Sequence, residues 1–176
     1  MLNLTHYKGL VYRGHDPRWS FTPESGEGAM LHGGRFNPKG TKALYTSVEF
    51  QGAWLEAQQG FINKPQPLTF CSYKVDCTDL VDLTDQQNLD YLEINAAELS
   101  GSWLMPTRSR ALPVTQQLAK NLIAKSVAGI IVNSFVPNTA PTNKNVVFWD
   151  WSHAKPHRVV VIDSDKRLPK NQRSWE

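Results

Sequence analysis

At 176 residues the chain is long enough to bury one sizeable core and short for two, so a single domain is expected over 1–176. Hydrophobic residues make up 40% and charged residues 20%, and no apolar run approaches the roughly 18 residues that would suggest a membrane span. The net charge is +3, and the terminal DSDKRLPKNQRSWE reads as a polar, basic tail over 164–176 that is either solvated or grips a partner.

The opening MLNLTHYKGLVYRG lacks the charged-then-apolar order of a secretory signal, so the cytoplasm is the expected compartment. GLVYR at 9–13 reads as the first strand, with Arg13 at its exit as either a surface ion-pair partner or a ligand contact. The next 20 or so residues, HDPRWSFTPESGEGAMLHGG, carry Pro, Gly, Ser and Asp throughout and read as an irregular loop. GGRFNPKG continues it, and ALYTS is a short strand.

Thr46-Ser47-Val48-Glu49 has the form of a capping box, which starts a helix near Ser47 with Phe50, Ala53, Trp54 and Ala57 as its buried stripe. Glu56 lies beside that stripe, where it either reaches out to water or faces a cleft.

In TFCSYKVDC, Cys71, Tyr73, Val75 and Cys77 share one strand face by period two. The two cysteines are then too far apart for a disulfide and read as buried free thiols, and no Cys/His cluster has zinc-ligand spacing. DLVDLT is a further strand, and TDQQNLDYLEI a short helix capped by Thr84. Ser100 to Arg110 shows no period. Pro113 fits the first turn of a helix through VTQQLAKNLIAKS, with Leu118, Leu122 and Ile123 inward. GIIV ends at Asn133-Ser134, the loop FVPNTAPTNK returns to NVVFWDW, and HRVVVID is the last strand. Strands at both ends with helices between them define an α+β fold with a mixed, mainly antiparallel sheet.

The glycine loop has neither a P-loop ending nor a dinucleotide fingerprint. The loop is either an ordinary turn or, since a glycine pair beside an arginine can approach and hold phosphate oxygens, a site where Arg13 and Arg35 together match a diphosphate. Tyr45 offers a ring to stack on a flat heterocycle, and Glu56 a carboxylate for the positive charge that builds on a ribose as its glycosidic bond breaks. Ser134 either donates to that ribose or orients the glutamate, or simply ends its strand. The five histidines stand at no catalytic spacing, and His15 and His32 read as loop residues near the site, with surface roles favoured over chemistry.

The order VYRG, GGRFNPKGTKALYTS, WLEA, a late strand ending at Ser134 and the return strand NVVFWDW resembles the RES-domain family, named for arginine, glutamate and serine. The resemblance runs from about Gly9 to Asp163, and Phe36 stands where the family usually has tryptophan. It implies an ADP-ribosyltransferase-like fold and an enzyme that consumes NAD+ as substrate, without a metal, by phosphorolysis, hydrolysis or ADP-ribosyl transfer. Such proteins are commonly toxins neutralised by an Xre-type antitoxin that covers the site.

By the same resemblance, Glu56 is the central catalytic carboxylate, accompanied by Arg13, Tyr45 and Ser134. Arg13, Gly34, Arg35, Asn37 and Tyr45 form the NAD+-binding set, with Asn37 shaping the loop. Inorganic phosphate, water or an acceptor protein is the nucleophile, and assembly with itself or with the antitoxin is compatible with the sequence. Two other classes compete with this expectation. One is a nucleic-acid-binding module built on Arg13, Arg18, Arg35 and exposed tryptophans. The other is an inactive partner-binding domain, which a fully exposed Glu56 would favour.

Overall fold

The computed structural model describes residues 1–59, 66–103, 112–137, 140 and 142–173. Residues 104–110 of the aperiodic stretch expected from Ser100 to Arg110, parts of the loop before Lys144 and the last three tail residues lie outside the described residues. Six strands form one mixed sheet: β1 (Leu4–His15), β2 (Leu44–Ser47), β3 (Thr69–Asp82), β4 (Gly129–Asn133), β5 (Lys144–Phe148) and β6 (His157–Val161). The order is β1-β2-β5-β4-β3-β6, and β1 also pairs with β3, so five strands close into a ring with β6 added on the outer edge of β3. Only β3 and β4 run parallel. This is the mixed, mainly antiparallel α+β architecture that the strand spacing implied.

β1 and β3 are longer than expected because they are the paired backbone of the sheet, in register from Leu4↔Val81 to His15↔Thr69. The two strands expected over 70–84 are one. Asp79 adopts φ +60° at an irregularity in the register with β1, and this bend lets β3 leave β6 and continue alongside β4 without ending. The alternation in TFCSYKVDC holds: Cys71, Tyr73, Val75 and Cys77 are all buried, both cysteines are free thiols, and burial pushes them up to about 11 and about 12. They pack with Val11, Leu44, Val146 and Phe148 on one face of the sheet. The opposite face carries Phe36, Val81, Val132 and Val147 against Leu118 and Leu122.

The helices are α1 (Glu27–His32), α2 (Phe50–Gln58), α3 (Gln86–Leu92), α4 (Ala96–Ser100) and α5 (Val114–Ala124), preceded by a 3-10 turn at Pro17–Trp19. α1 lies in the stretch expected to be irregular. It has no side-chain cap, and its last turn is held from outside, by Asn37 Nδ2 donating to the Ala29 carbonyl at 2.8 Å and by the Gly40 amide on the Met30 carbonyl at 2.8 Å. α3 is capped by Asp85 rather than Thr84, whose hydroxyl donates to Asp82 instead. α4 escaped the periodicity reading, although Asn95 and Glu98 form a capping box there. In the tail, residues up to 173 are mostly exposed, but Leu168 packs against the core. No helix among the described residues is long and apolar enough to cross a membrane.

Candidate active site

The element that positions Glu56 is α2, and it is seated differently from its sequence pattern. The Thr46 and Ser47 hydroxyls are spent across the sheet, on the Val146 carbonyl at 2.8 Å and on Asn145 Oδ1 at 2.6 Å, so they cap nothing. The helix starts later, at Phe50, without a side-chain cap. Its buried face is Gly52 and Ala53, while Phe50 and Trp54 are 51% and 44% exposed and stack outward with Phe70. The small residues let the helix lie close: a Cβ on Gly52 would stand 2.2 Å from Asn143 Nδ2. Close seating turns Glu56 toward the sheet instead of toward solvent.

Glu56 Oε1 accepts two hydrogen bonds, from Asn145 Nδ2 at 2.6 Å and from the Ser134 hydroxyl at 3.1 Å. Because Ser47 donates to Asn145 Oδ1, the amide is oriented with its NH2 group toward the carboxylate. Ser47, Asn145 and Ser134 therefore fix the Glu56 side chain from β2, from β5 and from the exit of β4. Ser134 is itself positioned, since its Oγ accepts from the Val136 amide at 3.3 Å. Asn145 was missed in the sequence. A polar residue opening a strand carries no local mark, and only the β2–β5 pairing of Ser47 with Asn145 brings it to the helix.

Two cavities meet at this carboxylate, and Tyr45, Glu56 and Asn145 line both. One, of about 300 Å³, is walled by Tyr12, Arg13, Thr46 and Ser47. The other, of about 350 Å³, is walled by Gly34, Arg35, Phe36, Trp103 and Phe135. Arg13 and Arg35 thus lie in different lobes and flank Glu56 rather than sitting side by side on one diphosphate.

Arg13 Nη1 donates to the Pro23 and Ser25 carbonyls at 3.2 and 3.3 Å, which ties the loop after β1 to the sheet. Burial lowers its pKa, partly offset by Tyr73 and Cys71. Arg35 Nη1 donates to the Leu99 and Gly101 carbonyls at 3.0 and 2.6 Å, and its guanidinium lies 4.7 Å over the Phe135 ring. Burial lowers its pKa too, against the raising influence of Glu56 and Tyr45. Among the described residues neither arginine forms an ion pair.

The glycine loop is built by a tight turn in which the Gly34 amide donates to the Asn37 carbonyl at 2.9 Å. The turn sets Arg35 on the cleft wall and Phe36 in the core at 2% exposure, with the Phe36 carbonyl accepting from Trp149 Nε1. Asn37 does not line the cleft. It is fully buried, donating to the Ala29 and Thr41 carbonyls and accepting from the Tyr45 hydroxyl at 2.7 Å, so it braces the loop and is not a ligand contact. Gly34 does line the Arg35 lobe, but its missing side chain serves Tyr45, whose hydroxyl would be 2.5 Å from a Cβ there. The Tyr45 hydroxyl also accepts from the Phe36 amide at 2.9 Å, which leaves only its ring for a ligand.

His15 is not a loop residue. It ends β1, and it is buried at 7% exposure. Arg18 chelates Asp16 and Trp54 is the one exposed tryptophan among the described residues, so the arginines and tryptophans do not assemble into a nucleic-acid surface. The half-buried, doubly hydrogen-bonded Glu56 likewise departs from the exposed carboxylate of an inactive scaffold.

Glu56, both arginines and the Tyr45 ring thus line two adjoining lobes of one cleft. The RES domain model matches residues 10–171, and the chain belongs to that family. Among solved structures it is similar to a chain of the M. tuberculosis MbcT-MbcA toxin-antitoxin complex, with a TM-score of 0.60 and 17% identity, covering 91% of this chain and 84% of that one. No curated protein matches it.

Proposed function

We propose that the protein is a toxin that breaks the bond between nicotinamide and ribose in NAD+. The observation that carries this reading is Glu56, fixed on one oxygen by Asn145 and Ser134 and lying where the two lobes meet. In the reaction the C1′–N bond breaks with its electron pair passing to the nicotinamide ring, whose charge is thereby neutralised. Positive charge moves onto the ribose, and the Glu56 carboxylate stabilises it there. Arg13 holds the diphosphate in its lobe. The nicotinamide enters the aromatic lobe beside the Tyr45 ring, with Arg35 as donor to its carboxamide.

Phosphate, water or a protein side chain then takes C1′, giving phosphorolysis, hydrolysis or ADP-ribosyl transfer. Mass spectrometry of the products distinguishes the three. The similarity to a toxin-antitoxin complex supports a protein antitoxin as partner.

The test is nicotinamide release from NAD+ by the purified protein, with and without phosphate. Glu56→Gln keeps an acceptor for Asn145 and Ser134 but removes the charge, and it should lower kcat by about a hundredfold or more with folding intact. Asn145→Ala should lower it less, by freeing the carboxylate to rotate. NAD+ left whole under both conditions, at stoichiometric protein, defeats the proposal.

A further inference from the structure

The cleft continues beyond Arg13. Gly14 and Ala57, which border the Arg13 lobe, also border a third cavity of about 490 Å³ walled by His15, the Asp16–Arg18 ion pair, Pro17, Gln66, Pro67 and Leu68. His15 is the unexplained member. Its side chain is buried, yet neither ring nitrogen has a hydrogen-bond partner, a costly arrangement for a polar group. Burial, reinforced by the charge of Arg13 and opposed by Asp16, lowers its pKa to about 4. At neutral pH the ring is therefore uncharged, with one N–H donor and one bare acceptor.

From end to end the wall runs from an aromatic lobe to a carboxylate, then to an arginine, then to a mainly apolar cavity in which Asp16 and Arg18 neutralise each other and His15 is an uncharged donor–acceptor group. NAD+ has the matching order of nicotinamide, ribose, diphosphate and adenosine. We propose that the third cavity is the adenine subsite, with His15 as its specificity residue. Proline and leucine walls suit the faces of a purine, and an uncharged imidazole suits a base edge better than a phosphate. The ring nitrogens are shielded from solvent, so recognition requires the side chain to rotate toward the cavity it lines. This inference rests on the reading of Glu56 as the NAD+-cleaving carboxylate.

The experiment compares NAD+ with nicotinamide mononucleotide, which has the same scissile bond and no adenosine, in the wild type, His15→Ala and Leu68→Trp, the last filling the cavity with a larger side chain. AMP binding by calorimetry is measured in parallel. Both variants should raise KM for NAD+ about tenfold, the worth of one hydrogen bond or contact of this kind, and leave the kinetics on the mononucleotide unchanged. Leu68→Trp should also abolish AMP binding. Equal effects on the two substrates, no effect on either, or a wild type that does not bind AMP would overturn the subsite. A wild type that binds AMP but cleaves neither substrate refutes the role of Glu56 and retains a purine site.

Discussion

Tyr45→Phe isolates one oxygen atom. The substitution keeps the ring between the two lobes and removes a hydroxyl that accepts from the Phe36 amide at 2.9 Å and donates to Asn37 Oδ1 at 2.7 Å. Both partners are nearly inaccessible, with Phe36 at 2% and Asn37 at 0% exposure, so water cannot replace the lost bonds. Burial pushes the hydroxyl pKa well above its ordinary value, so it remains a donor throughout the working pH range.

Each buried group left without a partner costs about 1–3 kcal/mol, and with some relaxation the two together should cost about 2–4 kcal/mol. For a protein of this size that corresponds to a loss of roughly 5–15 °C in Tm. In urea the midpoint should fall by about 1–2 M with an unchanged slope, because the denatured state is the same. A destabilisation below about 0.5 kcal/mol would show that the hydroxyl is not the tie between β2 and the glycine loop. Loss of nicotinamide release in a variant still folded at the assay temperature would show that the hydroxyl takes part in more than the scaffold.

Gly52→Ala places a methyl group against Asn143, where the spacing is 2.2 Å, and should destabilise by about 1–3 kcal/mol. Because it lifts α2 off the sheet, it should also reduce kcat more than the stability loss explains; a variant with wild-type turnover would refute this seating of Glu56. The histidines give opposite pH limbs. With a folded pKa of about 4 against the ordinary 6.5, His15 makes no pH-dependent contribution above pH 6.5, where both states are neutral, and lowers stability as pH falls from 6.5 to 4, by up to about 3 kcal/mol.

His15→Leu should flatten that limb in urea titrations, and an unchanged slope would refute its burial as a neutral base. At His157, burial acts to lower the pKa, but the ring's bonds to Asp79 and Asp150 raise it above its ordinary value. Its stabilisation is full below pH 6.5 and fades as pH rises through the folded pKa.

The RES pattern was legible because its parts are close in sequence: the loop that carries Arg35, the strand with Tyr45 and the helix with Glu56 lie within some twenty residues. Strand faces were legible too, since alternation in TFCSYKVDC depends only on the chain's own geometry. Capping was ambiguous. Thr46-x-x-Glu49 and Asn95-x-x-Glu98 carry the same signal, and only the second is a cap, because Thr46 already belongs to a strand whose neighbour, β5, offers a carbonyl.

The sequence by itself determined the α+β class, the free buried cysteines and the neighbourhood of Glu56. The tertiary structure decided which face of α2 is buried, since an aromatic stripe and a Gly-Ala face both have helical period, and close approach to Asn143 admits only the small one. It also decided that Asn145 holds the carboxylate, that Asn37 is structural, and that the two arginines occupy separate lobes. These depend on residues that are far apart in sequence, such as the 89 positions between Glu56 and Asn145, and become neighbours only when the sheet closes.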